Sequence, residues 1–247
     1  MKILVAVSKA PDTTAKITFK DNNTVFNEDG VQWIVNPYDE WYALVRAIEL
    51  KEAAPDTIIH LVSVDESGAD VILRKALALG GDEAIRVNCK PTDSFSVASQ
   101  LAAVAKQGGY DLILTGKETI DFNDGAVPGM LAELLEIPCI AVATKLTVQD
   151  GQATVVKEIE GGEQTEQVSF PVVISCAKGM AKQRMAGIRN VIAARSKTIK
   201  VLEPVSVDQL TEAVSFELPA AKTGVKMVEA GQEAELARLL HEEAKVI

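Results

Sequence analysis

The sequence predicts an α/β fold, a doubly wound parallel sheet with a β-rich extension and a C-terminal arm. Three observations predict it. The short runs ILVAVS at 3–8, TIIHLVS at 57–63, AIRVN at 84–88 and DLILT at 111–115 are largely apolar, as strands buried on both faces should be. Stretches of helix length with one apolar face separate them. After residue 143 this rhythm gives way to β-rich segments, and then to an extended tail. Strand and helix in alternation with short connections require a parallel sheet covered on both faces.

Each element has local grounds. The helix over 38–52 places Leu44, Ala47 and Ile48 on one face, and the helix over 69–79 stops at Gly80-Gly81. A helix over 94–107 opens on Ser94 as its cap, and one over 127–136 leads into a strand over 139–143. Residues 15–35 stand apart, because AKITF and TVFN flank DNN in the pattern of a small hairpin laid on the side of the domain. Beyond 143, TKLTV, ATVVKEIEGG, EQTEQVSF and PVVISC read as strands separated by turns. Residues 178–200 then hold seven basic side chains, Lys178, Lys182, Arg184, Arg189, Arg195, Lys197 and Lys200, with no acid among them. The tail 203–247 is extended except for an amphipathic helix over 231–243 with Leu236, Leu239 and Leu240 on one face. Such an arm either covers its own domain or wraps a partner subunit.

Composition narrows the chemistry. With 247 residues, 47% hydrophobic and 24% charged, the chain can bury a full core. A net charge of −10 argues against nucleic acid as the main partner. The chain begins on a strand, KILVAV, and no apolar run reaches membrane-spanning length; no signal peptide, no membrane insertion and a cytoplasmic location are expected. Cys89, Cys139 and Cys176 form no CxxC and are expected to be buried small hydrophobes in a reducing compartment. His60 and His241 lack partners at metal-ligand spacing, so neither a metal site nor a nucleophile–histidine site is expected. The Walker and GxGxxG fingerprints are missing. The acidic pairs Asp39-Glu40 and Asp65-Glu66 are expected to be solvated loop charges rather than acid–base dyads. The expectation is a binding protein without catalytic residues.

One segment stands out as a binding element. DFNDGAVPGM, residues 121–130, lies between the apolar run LILTG and the helix-like MLAELLE. In an open α/β sheet, phosphates bind where a strand's carboxyl end meets a helix's amino end, because free backbone N–H groups and the helix dipole favour anions. An ordinary βα loop has the same outline, and spacing alone leaves both readings open.

Several longer stretches resemble the β subunits of electron-transfer flavoproteins, over nearly the whole chain. They are LVAVSKAPD, DGVQWIVNPYDEWYALVRAIELKE, LRKALALGGDEAIRV, GKETIDFNDGAVPGMLAELL, VVKEIEGGEQTEQVSFPVVISC, the basic stretch running into VLEP, and TGVKMVE. Their order and spacing follow the family. The resemblance implies the adenine-nucleotide α-hydrolase-like fold over 1–202, including a β-rich extension at about 144–176 and a recognition segment at 184–198. It implies that 203–247 is an arm embracing an α subunit. It also implies a heterodimer that carries electrons from flavin dehydrogenases, such as the acyl-CoA dehydrogenases of fatty acid β-oxidation, to a quinone-linked oxidoreductase. The redox FAD would belong to the α subunit, and the β subunit would hold an AMP, or a second FAD in electron-bifurcating members.

By the same resemblance the nucleotide would be surrounded by Ala6, Asn36, Pro37, Tyr38, Asp39, Val64, Gly116, Asp121, Asn123, Gly125, Ala126 and Val127. Ala6 and Val64 would end adjacent strands and let backbone read the adenine, Asn36-Pro37 would fix a loop over the ribose, and Gly125 with the helix start at Val127-Pro128 would supply N–H groups for phosphate. Glu158 would sit near the subunit junction. Ile188, flanked by Arg184 and Arg189, would be the aliphatic anchor entering a dehydrogenase pocket; a short helix packing Ile188 inside is the alternative. The chain departs from AMP-binding members at Gly125-Ala126-Val127, where they often carry Asn-Gln-Thr; backbone groups must then carry the phosphate, or the site takes FAD. Glu166, where an aliphatic residue is usual, is expected to be more exposed. Stress-type ATP-binding regulators share the fold but lack residues 144–247, and ATP-pyrophosphatases need a glycine–serine loop where this chain reads SKAPDTT.

Overall fold

The computed structural model describes residues 1–120, 122–221 and 224–247. Strand β1 (Lys2–Ala6) buries Ile3, Leu4 and Val5 completely, as an apolar run without alternation must. The polar excursion after it contains β2 (Lys9–Pro11), β3 (Phe19–Lys20), β4 (Val25–Phe26) and β5 (Trp33–Val35), with β2 paired to β5 and β3 to β4. The β3–β4 turn holds Asp21, Asn22 and Asn23 at φ of 54°, 57° and 63°, a left-handed run that Asp and Asn tolerate best among side-chain-bearing residues. The hairpin expected around DNN is therefore present.

Alternation then takes over. Helix α1 (Asp39–Ala53) leads to β6 (Ile58–Val64), α2 (Asp70–Leu79) to β7 (Glu83–Val87), α3 (Ser94–Gly108) to β8 (Leu112–Gly116), and α4 (Val127–Leu135) to β9 (Cys139–Gln149). The α3 cap is Asp93 and not Ser94. Asp93 is extended and its carboxylate accepts from Ser96 N at 2.7 Å, while Ser96 Oγ accepts in return from Asp93 N at 3.3 Å. Ser94 is already inside the first turn.

Strand β9 runs on past the expected residue 143 and forms an antiparallel meander with β10 (Gln152–Ile159) and β11 (Gly162–Ser169). The chain then returns to the centre. Strand β12 (Val172–Cys176), the PVVISC segment, is buried throughout and lies parallel between β8 and β9. Helix α5 (Ile188–Ser196) and edge strand β13 (Ile199–Leu202), parallel to β7, complete the body. Among the described residues one sheet of nine strands results, in the order β11-β10-β9-β12-β8-β1-β6-β7-β13.

Two cores sandwich this sheet. Ile3, Val5, Ile59, Leu61, Leu112 and Leu114 point to one face, where residues of α1 and α2 cover them; Leu4, Val62, Ile113 and Val173 point to the other, under α3 and α4. Each fully buried side chain of this kind contributes roughly 1.5–3 kcal/mol relative to exposure. Cys176 belongs to the first core, and burial pushes its thiol well above the usual range. Cys89 is half-buried and Cys139 is exposed, against the expectation of three buried thiols. Cys139 opens β9 opposite Val173 of β12, and β10 joins β9 only from Ala143 onward. His60, in β6, hydrogen-bonds Tyr110 through Nδ1 at 2.9 Å, and burial lowers its pKa.

The arm lacks helix and strand among its described residues until α6 (Glu233–Arg238), which widens into π-type turns over Leu239–Ala244. The helix expected over 231–243 thus begins later and stays α-helical for one part only. Leu239 is buried, whereas Leu236 is exposed. No helix among the described residues is long and apolar enough to cross a membrane.

Candidate functional site

The sheet order creates one crevice at its carboxyl end. From β1 the chain crosses through α1 to β6 on one side, and from β7 it crosses through α3 to β8 on the other. Loops leaving β1 and β8 therefore diverge, the condition for a ligand crevice in a doubly wound sheet. Ala6 ends β1, Val64 ends β6 and Gly116 ends β8, so three of the expected site residues lie together at the carboxyl ends of three neighbouring parallel strands. Strands β1 and β6 are direct parallel neighbours, with Ala6 opposite Val62.

The α1 amino end closes one wall. Asn36 is fully buried; its Nδ2 donates to Glu118 O at 2.8 Å and its Oδ1 accepts from Ile120 N at 3.3 Å. Its amide thus clamps the β8 loop, while Pro37 follows and Tyr38 stands exposed. Asp39 is buried and accepts from Glu118 N at 3.2 Å; burial raises its pKa, opposed by that bond and by Lys117. Glu40, also buried, accepts from Ser8 N at 2.6 Å and from Ser8 Oγ at 2.9 Å. Asp65 is buried against Lys9 at 3.0 Å, and Lys9 also lies over the Trp33 ring. The expectation of solvated charges is corrected for Asp39, Glu40 and Asp65, though Glu66 is exposed. They are loop anchors. Asp39 accepts from Glu118 N and Glu40 accepts from Ser8.

The opposite wall is the loop after β8. Lys117 pairs with Glu118 at 2.7 Å. Asn123, at φ 54°, donates its backbone N–H to Thr119 O at 2.9 Å, and its amide, oriented as its neighbours require, donates to the Glu118 carboxylate at 3.0 Å. Asp124 accepts from Ser94 Oγ and from Ala126 N. Asp121 lies outside the described residues. Gly125 sits at φ +64°, a conformation that side chains rarely adopt. Helix α4 then starts with Ala126 at its cap, a residue that offers no side-chain acceptor to the N–H groups behind it, and with Pro128 in the first turn.

These features suit an anionic ligand. Among the described residues at this loop, Lys117 offsets the charge of Glu118, and Asp124 accepts from Ser94. Small residues, Ala6 and Gly116, end the neighbouring strands β1 and β8, and Gly116 lets the first turn of α1 come close to β8. Ser8, Lys9, Asp65 and Ser94 were not legible as site anchors in the sequence, although Ser8, Lys9 and Asp65 share one signal, their place just beyond a strand's carboxyl end. No cluster able to hold a metal ion occurs among the described residues.

Elsewhere, α5 begins at Ile188, which is nevertheless 80% exposed, beside Met185 and Ile192, also exposed. The two readings of Ile188 divide: it does start a short helix, and it does not pack inside. Ala194 is the buried residue of α5, held to α2 where Arg74 donates to Ala194 O at 3.0 Å. Arg184 forms a bidentate pair with Glu52 at 2.6 and 2.9 Å, whereas Arg189 is exposed. Glu158 lies in β10 opposite Glu163, ahead of the Glu160-Gly161 turn rather than in it. Glu166 is half-buried and paired with Lys157.

A mostly parallel sheet, helices on both faces and a crevice at the strand-order switch define a doubly wound α/β protein. The electron transfer flavoprotein domain matches residues 23–207. The chain is 34% identical to the electron transfer flavoprotein subunit beta of Bacillus subtilis over the whole of both chains. It is 34% identical to that of Syntrophomonas wolfei, covering 92% of this chain and 90% of the relative, and 31% identical to the human one, covering 92% of each. The chain belongs to the electron transfer flavoprotein family, among its β subunits.

Proposed function

We propose that this β subunit pairs with a flavin-bearing α subunit, carries electrons from flavin dehydrogenases such as acyl-CoA dehydrogenases to a quinone-linked oxidoreductase, and holds AMP as a structural ligand in the cytoplasm. The observation that carries the ligand reading is the amino end of α4, free of a side-chain cap behind a left-handed Gly125. Ala6, Val64 and Gly116 flank the base, residues 36–39 line the ribose side, and Asn123 and Gly125–Val127 take the phosphate. The FAD that supplies the redox chemistry belongs to the α subunit; this chain contributes binding, orientation and the docking surface, with 1–202 as body and 203–247 as arm. Denaturing the purified αβ pair should release one AMP and one FAD per heterodimer, read by mass and absorbance. Two FAD and no AMP would favour the second reading, an electron-bifurcating subunit, which the lack of side-chain donors at Gly125-Ala126-Val127 supports.

The dehydrogenase would dock on α5, with Ile188 as anchor, Arg184 and Arg189 at its flank, and Glu158 at the subunit junction. An exposed apolar anchor ringed by charge suits a transient partner. Ile188→Ala should raise the apparent KM for the dehydrogenase roughly tenfold, about 1.4 kcal/mol of lost burial, with an unchanged Tm. A normal KM would remove Ile188 from the docking site. Arg184, neutralised by Glu52, contributes less to steering than Arg189.

A further inference from the structure

The arm and the loop after β8 meet on one turn of α3. Asp93 caps that helix through Oδ1 and uses Oδ2 to accept from the backbone N–H groups of Leu210 and Thr211, at 2.6 and 3.0 Å. The next residue, Ser94, donates to Asp124 Oδ2, and Asp124 Oδ1 accepts from Ala126 N at 3.2 Å, where α4 begins. A continuous line of hydrogen bonds to carboxylates thus joins the arm to the amino end of α4. Such bonds are about twice as strong as neutral ones.

Residue chemistry singles out the junction. Ser, Thr or Asn would cap α3 as well as Asp does. Among these only Asp has two acceptor oxygens, one for the helix and one for the arm. Beyond it, Phe216 donates its N–H to Asn23 O at 2.8 Å and stacks on Phe19 at 5.1 Å. Both anchors lie at the carboxyl end of the sheet, since α3 starts where β7 ends and the hairpin belongs to the excursion that leaves β1. Five residue steps from Thr211 to Phe216 span at most about 18 Å, so this strap stays on the side of the sheet where the crevice opens.

We propose that Asp93 and Ser94 are positioning residues that couple seating of the arm to retention of the nucleotide. A seated arm holds the first turn of α3, which holds Asp124 and the loop that leads into α4. A partner that draws the arm away loosens that loop and speeds nucleotide exchange. The nucleotide part of the proposal rests on the AMP reading of the crevice; the link between arm and loop does not.

Asp93→Asn separates the two duties, because Asn caps the helix but turns an N–H donor toward the arm. In the full αβ complex, Asp93→Asn should speed hydrogen exchange at Leu210 and Thr211 and at residues 122–127 roughly tenfold. Bound radiolabelled AMP should be chased by excess AMP faster by a similar factor, while the α3 amides keep wild-type protection. Ser94→Ala should loosen the loop and speed AMP release with the arm still protected. Thr211→Pro removes a donor from the arm's side without touching α3, and should reproduce the Asp93→Asn pattern in smaller measure even if that variant folds poorly. The coupling is overturned if either variant frees the arm while residues 122–127 exchange at the wild-type rate. A wild-type complex without bound AMP would defeat the AMP reading, and exchange at 122–127 would still decide the coupling.

Discussion

Gly116→Val should lower the stability of this protein by about 3 kcal/mol and its Tm by roughly 6–12 °C. Gly116 is buried at the end of β8, against the first turn of α1. A Cβ there would lie 2.8 Å from Glu40 Cγ, 3.0 Å from Glu40 N and 3.1 Å from Asp39 Cβ. A flexible side-chain tip can move aside, but a helix backbone cannot move alone. Shifting α1 would disturb the Ser8–Glu40 and Asp39–Glu118 bonds together, and with them both walls of the crevice. Nucleotide content should fall with the Tm. Gly129→Ala is the control: it lies in α4 with nothing within 4 Å of the added Cβ, and Ala is the better helix former by about 1 kcal/mol. A Gly116→Val protein as stable as Gly129→Ala would mean that α1 and β8 are not in close contact.

The same contact explains why the crevice was only partly legible in sequence. Strand and helix boundaries from α1 to α4 follow from local patterns, because buried runs and amphipathic faces are properties of neighbours in the chain. The DNN turn is local too. Burial of Asp39 and Glu40 is not, since it depends on a helix start landing on a strand more than seventy residues away. Adjacent carboxylates on a helix start look solvated until that packing is known. The place of β12 is equally non-local. PVVISC reads like the segments before it, yet it enters the parallel centre because β8 still lacks a neighbour on that side. Ser94 as a cap candidate failed for a smaller reason: Asp93 stands one residue earlier with a stronger acceptor, and whichever of two adjacent polar residues stays extended becomes the cap.

Removal of residues 225–247 should weaken binding to the α subunit at least a hundredfold, about 2.7 kcal/mol, with little change in the Tm of the remaining chain. Two features of the arm argue for this. Its early part is fastened to the body: Val205 exchanges two hydrogen bonds with Gln100, and Asp93 and Asn23 hold the segment that follows. Its later part satisfies its own charges, Arg238 with Glu235 and Glu242, and Lys226 with Glu243, while Val225, Met227, Leu236, Val246 and Ile247 stay exposed. Each such side chain gains roughly 1.5–3 kcal/mol when fully buried, so partial cover of several exceeds the stated loss after the arm's ordering entropy is subtracted. Calorimetric titration of the shortened chain with the α subunit measures the first quantity, and a thermal melt of the shortened chain alone measures the second. If affinity holds and the melt drops, residues 225–247 cover their own domain. If affinity drops and the melt holds, they are the part of the arm that grips the α subunit, and the anchored stretch before them is the hinge from which it reaches.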